Sequence, residues 1–132
     1  MTKKSDPDWP GNNVAKVLFK YSLVNDISLV SNTQTAIGDD PTEGRLMLYE
    51  QDVDAITLNT DLKGYVSRDG GTTYTHVTLA DDSNYVTGKR LVSGSVDISG
   101  QPSGTNIKYK IETLNQSATK VCRLHGASLL WA

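Results

Sequence analysis

From Thr60 onward, apolar and polar residues alternate with a period near two. Leu62, Gly64 and Val66 interleave with Lys63, Tyr65 and Ser67, and the chain then reaches Asp69-Gly70-Gly71. Thr72 to Leu79 returns with Val77 and Leu79 on one side. Successive side chains of a strand point to opposite faces, so this pattern predicts a hairpin with one face buried. A polar break over Ala80-Asp81-Asp82-Ser83-Asn84 leads to Arg90–Ser99, where Val92, Gly94, Val96 and Ile98 face away from Ser93, Ser95 and Asp97. After the turn formers Gly100 to Gly104, Asn106–Leu114 sets Ile107, Tyr109 and Ile111 against Lys108, Lys110 and Glu112. Lys120 to Trp131 predicts a closing strand whose register the alternation leaves open.

Upstream the signal is weaker. Val14–Tyr21 predicts a first strand, with a short helix as the competing reading, and Ser31–Ile37 a second. Gly38–Gly44 is dense in turn formers, and Arg45–Glu50 follows as a short strand. In all, about seven to nine short strands with no long amphipathic helix between them predict an all-β chain, an antiparallel β-sandwich or jelly roll. Residues 1–13 mix charge, Pro and Gly without a period and read as an N-terminal arm; residues 14–132 read as a single domain. Trp9 stands out in that arm, because a bare tail seldom keeps an indole in water; it anchors the arm either on its own domain or on a neighbouring subunit.

Length and charge narrow the function classes. At 132 residues the chain is long enough for one core without a stapling metal or disulfide. Thirteen Lys and Arg against fifteen Asp and Glu leave a net charge of -2, with no block of like charge, so no nucleic-acid partner is expected. The longest apolar runs are only a few residues, such as Val17-Leu18-Phe19, and predict no membrane span, and the charged start Met1–Asp8 lacks the apolar stretch of a secretory signal. One cysteine and two histidines predict neither a disulfide framework nor a zinc cluster.

Candidate chemistry is equally thin. His76 and His125 both fall in strand patterns, no Gly-x-Ser-x-Gly elbow exists, and Cys122 lies in a β run where a small buried hydrophobe is the commoner role. Asp39-Asp40, Asp52 with Asp54, and Asp81-Asp82 are the acidic groupings, but none follows the calcium-loop spacing, and Asp also favours turns for local reasons. Gly70-Gly71 sits in a hairpin with no helix N-terminus after it to hold an anion. The expectation is therefore no catalytic set, no metal and no cofactor, in a non-enzymatic protein. Tyr65, Tyr74 and Tyr85 fall on predicted solvent faces, with Tyr49 less clearly placed. With Trp9 they are the candidate ligand or partner surface, since exposed Tyr on a sheet suits sugars or protein surfaces; cross-strand packing is the alternative.

Two resemblances sharpen this. Ser67-Arg68-Asp69-Gly70-Gly71-Thr72-Thr73-Tyr74 resembles the Asp-box hairpin, with Tyr74 where Trp or Phe is usual. The motif implies that Asp69 caps the turn, that Gly70 and Gly71 shape it, and that Tyr74 packs beneath it. A longer series runs Asn59–Tyr74, Val96–Thr105, Tyr109–Ala118 and Leu124–Trp131. It resembles a β module of structural proteins of tailed bacteriophages, often found in tail-fibre-like or other virion proteins. That resemblance implies a virion location, as tail-fibre-like part, tail accessory or capsid decoration, acting in assembly or host-surface attachment. Its partners would be other virion proteins, further copies of the chain in a homo-oligomer, and a host-surface glycan. The alternative on the same fold is a carbohydrate-binding module using Tyr65, Tyr74 and Tyr85.

Overall fold

The structure, a computed structural model, describes residues 25–132. The N-terminal arm with Trp9, and the strand predicted at Val14–Tyr21, lie outside the described residues. Nine strands follow: β1 (Ser28–Val30), β2 (Gln34–Thr35), β3 (Glu43–Asp52), β4 (Leu62–Ser67), β5 (Thr75–Val77), β6 (Ala80–Val86), β7 (Lys89–Asp97), β8 (Asn106–Thr113) and β9 (Cys122–Trp131). They form two antiparallel sheets, one ordered β1-β8-β4-β5 with β2 also on β8, the other β6-β7-β3-β9. The fold is the expected antiparallel β-sandwich.

Alternation explains the layers. Along β3, Leu46, Leu48 and Glu50 are buried while Arg45 and Tyr49 face outward; along β4, Leu62, Gly64 and Val66 are buried. Leu46, Leu48, Leu62, Val66, Val77, Val92 and Ile98 are fully inaccessible and form one core between the sheets. The sheets approach closely where side chains vanish. A Cβ on Gly64 would lie 2.5 Å from Leu46 Cδ2, and one on Gly94 would lie 2.2 Å from the Thr78 carbonyl, where the chain crosses from β5 toward β6. Both glycines belong to the inward set, and their missing side chains set the spacing of the layers there.

The hairpin of β4 and β5 is as expected, with Gly64 opposite Val77, Tyr65 opposite His76 and Val66 opposite Thr75. Two expectations need correction. The polar break at Ala80–Asn84 is part of edge strand β6, exposed along its whole length. It is held by its ladder to β7 and by Asp81 on Arg90 at 2.9 Å, so no burial period betrays it. The strand expected at Ser31–Ile37 is reduced to Gln34–Thr35. Ser31 doubles onto Tyr109, its N–H donating to the Tyr109 carbonyl and its Oγ accepting from the Tyr109 N–H, each at 3.0 Å. That closed pair separates β1 from β2, which use the same neighbour β8 as two short pieces.

Candidate binding face

On the outer face of the first sheet, β4 lies between β5 and β8. The register puts His76, Tyr65 and Lys110 in one row across three strands, with Lys63 opposite Glu112 and Ser67 opposite Lys108. Directly opposed side chains on one face touch, and these do. The Tyr65 and His76 rings meet edge to face at 5.4 Å. Lys110 Nζ sits 4.6 Å from the Tyr65 ring centre and 4.9 Å from that of Tyr74, so one ammonium bridges two phenols. Glu112 Oε2 holds the same ammonium at 3.3 Å. Burial, and then the Glu112 carboxylate, push the Tyr65 phenol above its ordinary value; burial, and then Asp69, do the same for Tyr74. Both phenols are therefore neutral hydrogen-bond donors at physiological pH.

Tyr74 is set by the turn before it. Asp69 Oδ1 accepts from the N–H of Thr73 at 2.8 Å and of Thr72 at 3.1 Å, and from the Ser67 hydroxyl at 2.8 Å. Ser67 Oγ in turn accepts the Gly71 N–H at 2.9 Å. Gly70 and Gly71 have φ of 79° and 94°, which L side chains rarely adopt. A Cβ on Gly71 would lie 3.0 Å from the Tyr74 hydroxyl oxygen, so this glycine also makes room for the phenol above the turn. The donors converging on Asp69, the Thr73 N–H first among them, lower its carboxyl to about 2.

Beneath the turn lies a polar knot with no carboxylate in it. Arg68 is 7% exposed, and its guanidinium donates to the carbonyls of Pro41 (2.8 Å), Ser99 (3.0 Å), Gln101 (2.6 Å) and Pro102 (3.1 Å). Gln101 completes the tie: its Oε1 accepts the Arg68 N–H, and its Nε2 donates to the Val66 carbonyl and Thr75 Oγ1, all at 2.8 Å. The Asp69 turn and the loop after β7 are thus tied together by hydrogen bonds beneath Tyr74.

The structure divides the predicted aromatic set. Tyr65 and Tyr74 come together over Lys110, but Tyr85 belongs to β6 in the other sheet, edge-on to Tyr49 at 5.8 Å. The expectation that Tyr85 shares one surface with them is corrected: the β4–β5 hairpin faces outward from one layer and β6 edges the other. His125 is exposed and within 2.9 Å of Gln51 Oε1. Burial, with Glu50, Asp52 and Asp61 around it, pushes the Cys122 thiol up to about 11, so it stays protonated. Among the described residues no group of three His, Cys, Asp or Glu is placed to hold a metal ion. Asp81 is spent on Arg90, and Asp82 on the Ser93 hydroxyl and Arg45. Lys110, His76, Arg68 and Gln101 were not foreseen in these roles. Lys110 and His76 were readable as outward residues, but their meeting with Tyr65 depends on register; no signal in the sequence marked Arg68 and Gln101. Comparisons with protein-family models, with curated proteins and with solved structures gave no match.

Proposed function

We propose that this chain is a non-enzymatic component of a bacteriophage virion, an assembly and attachment module that meets a host or neighbouring surface with the Tyr65–Lys110–Tyr74 face. One observation supports this reading above the others: an ammonium on central strand β8 lies between the phenol of Tyr65 on central strand β4 and that of Tyr74 in the turn before β5, and that turn and the knot beneath it spend Asp69, Arg68 and Gln101 on positioning. Such a face offers ring stacking area at small ordering cost, beside an ammonium already paired with Glu112, which suits attachment to hydroxyl-rich surfaces. The virion location rests on the resemblance to tailed-phage β modules.

The same face supports the second reading, a carbohydrate-binding module, because sugars stack on exposed aromatic rings. A glycan array together with pull-downs against purified virion proteins separates the two. Recognition of defined sugars that Tyr65→Ala and Tyr74→Ala abolish, and Tyr85→Ala leaves intact, selects the sugar-binding reading. Binding of virion proteins through the same tyrosines, with silence toward sugars, selects assembly. Indifference of both activities to Tyr65 and Tyr74 removes this face from the function.

A further inference from the structure

Among the described residues the sandwich is open along one flank, between β1 at the rim of one sheet and β9 at the rim of the other. Two adjoining cavities of about 260 and 450 Å³ run along it, sharing Ser31 and Tyr109. Leu29, Val30 and Tyr109 line them on one side and Leu124, Leu129 and Trp131 on the other, with Ser31, Asn32, Gln34 and His125 adding polar groups. Leu29 and Val30 are 46% and 53% exposed and Trp131 37%, exposed apolar area of the kind that marks a contact.

The two edges that the β6-β7-β3-β9 sheet has among the described residues are built differently. Edge strand β6 carries Asp81 and Asp82 and two register irregularities, the devices that blunt an edge against further pairing. Edge strand β9 has ten residues, Cys-Arg-Leu-His-Gly-Ala-Ser-Leu-Leu-Trp, without an acid or a proline, and a single register irregularity at His125. Its outer side meets no other strand among the described residues. It is an edge left ready to pair.

The described chain begins at one end of that flank. The Gln116 N–H donates to Asp26 Oδ1 at 2.8 Å, and Gln116 Oε1 accepts the Cys122 N–H at 3.2 Å. Asp26 is therefore pinned to the corner at which β9 begins. Chain reaching that corner from the Trp131 end runs antiparallel to β9. The eight residues Val14–Tyr21 span about 26 Å when extended, less than the length of β9 at about 3.3 Å per residue. In sequence, Ala15, Val17, Phe19 and Tyr21 alternate with Val14, Lys16, Leu18 and Lys20. One parity is apolar throughout, as the trench requires; the other carries both lysines, as a new outer edge requires.

We propose that the flank between β1 and β9 is a strand-acceptor site and that its occupant is this chain's own Val14–Tyr21, added antiparallel to β9 with Val17 and Phe19 in the trench. The inference is independent of the Tyr65–Lys110–Tyr74 face.

Hydrogen exchange read by mass spectrometry on the full chain, with light scattering on the same samples, tests it. The expected result is a monomer in which peptides covering β9 are protected like those of central strand β3. Val17→Thr and Phe19→Asp speed β9 exchange about tenfold or more while β4 and β7 keep their protection, and Leu18→Asp, of the other parity, leaves β9 unchanged. Should Phe19→Asp fail to fold, the wild type, Val17→Thr and Leu18→Asp still decide. Three results overturn the proposal. The first is a wild-type monomer whose β9 amides exchange as a free edge. The second is equal effects of the two parities. The third is protection lost on dilution together with a fall in mass, which assigns the flank to a second copy.

Discussion

Arg68→Ala is the sharpest test of how the binding face is held. The guanidinium is nearly inaccessible and satisfies four backbone carbonyls from two stretches of chain, Pro41 and residues 99–102. A hydrogen bond to a charged group contributes about 1.5–3 kcal/mol, so four independent ones would sum to roughly 6–12 kcal/mol. Two effects reduce that figure. Burying the cation cost solvation energy that the variant regains, and water entering the vacated space will re-pair some of the carbonyls. The expected loss is about 3–5 kcal/mol, which at about 4 °C per kcal/mol for a domain of this size lowers Tm by about 12–20 °C. Arg68→Lys keeps the charge but loses the planar fork, so it should fall about midway between wild type and Arg68→Ala. Urea unfolding followed by circular dichroism measures both variants, with Lys63→Ala on the outer face as a control within about 0.5 kcal/mol of wild type. An Arg68→Ala variant within about 1 kcal/mol of wild type would refute the reasoning. So would equal losses for Ala and Lys, which would make the fork irrelevant.

Gly94→Ala would place a methyl 2.2 Å from the Thr78 carbonyl and 2.8 Å from Val77 Cγ1, so the strand crossing must move; a loss above about 2 kcal/mol in urea unfolding is expected, against little change for Gly100→Ala, whose site is open. Asp69 has a folded pKa of about 2 against an ordinary 3.8, so its contribution to stability is full above about pH 4 and is lost as pH falls toward 2. The stability gap between wild type and Asp69→Asn should therefore narrow over that window in acid titrations of unfolding. Cys122, pushed up to about 11, should react with a disulfide reagent at pH 8 far more slowly in the folded chain than in urea; equal rates would place the thiol in water.

Burial is what made parts of the fold readable. Leu62, Val66, Val77, Val92, Ile107 and Ile111 are 2% exposed or less, and each belongs to an alternation visible in the sequence. Edge strand β6 was invisible for the complementary reason: hydrogen bonds and the Asp81–Arg90 pair hold it, and neither leaves a hydrophobic period. Tyr65 and Tyr74 were legible as outward aromatics because each is outward within its own hairpin arm. Lys110 as the bridge between them was not, since it depends on β8 pairing with β4 in the register Tyr65–Lys110, a contact between residues far apart in sequence. Arg68 shows the limit most clearly. In sequence it is one more charged residue before an Asp-Gly-Gly turn; only the convergence of Pro41, Ser99, Gln101 and Pro102 makes it a buried tie.

The two surfaces of this sandwich differ in mechanical character, and that difference assigns them different work. Tyr65 and Lys110 stand on β4 and β8, each paired on both sides, so moving either requires breaking two ladders at once. A ligand meeting them finds groups already ordered and loses little entropy in binding. Among the described residues β9 is paired on one side only, with exposed apolar area beside it, and local opening there need break only the ladder to β3. A surface of that kind gains most from being completed by another strand, because each added backbone hydrogen bond also covers Leu124, Leu129 and Trp131. The stiff face is suited to recognition and the unfinished edge to completion, so substitutions at Tyr65 should alter binding without altering the protection of β9, and substitutions along the flank should do the reverse.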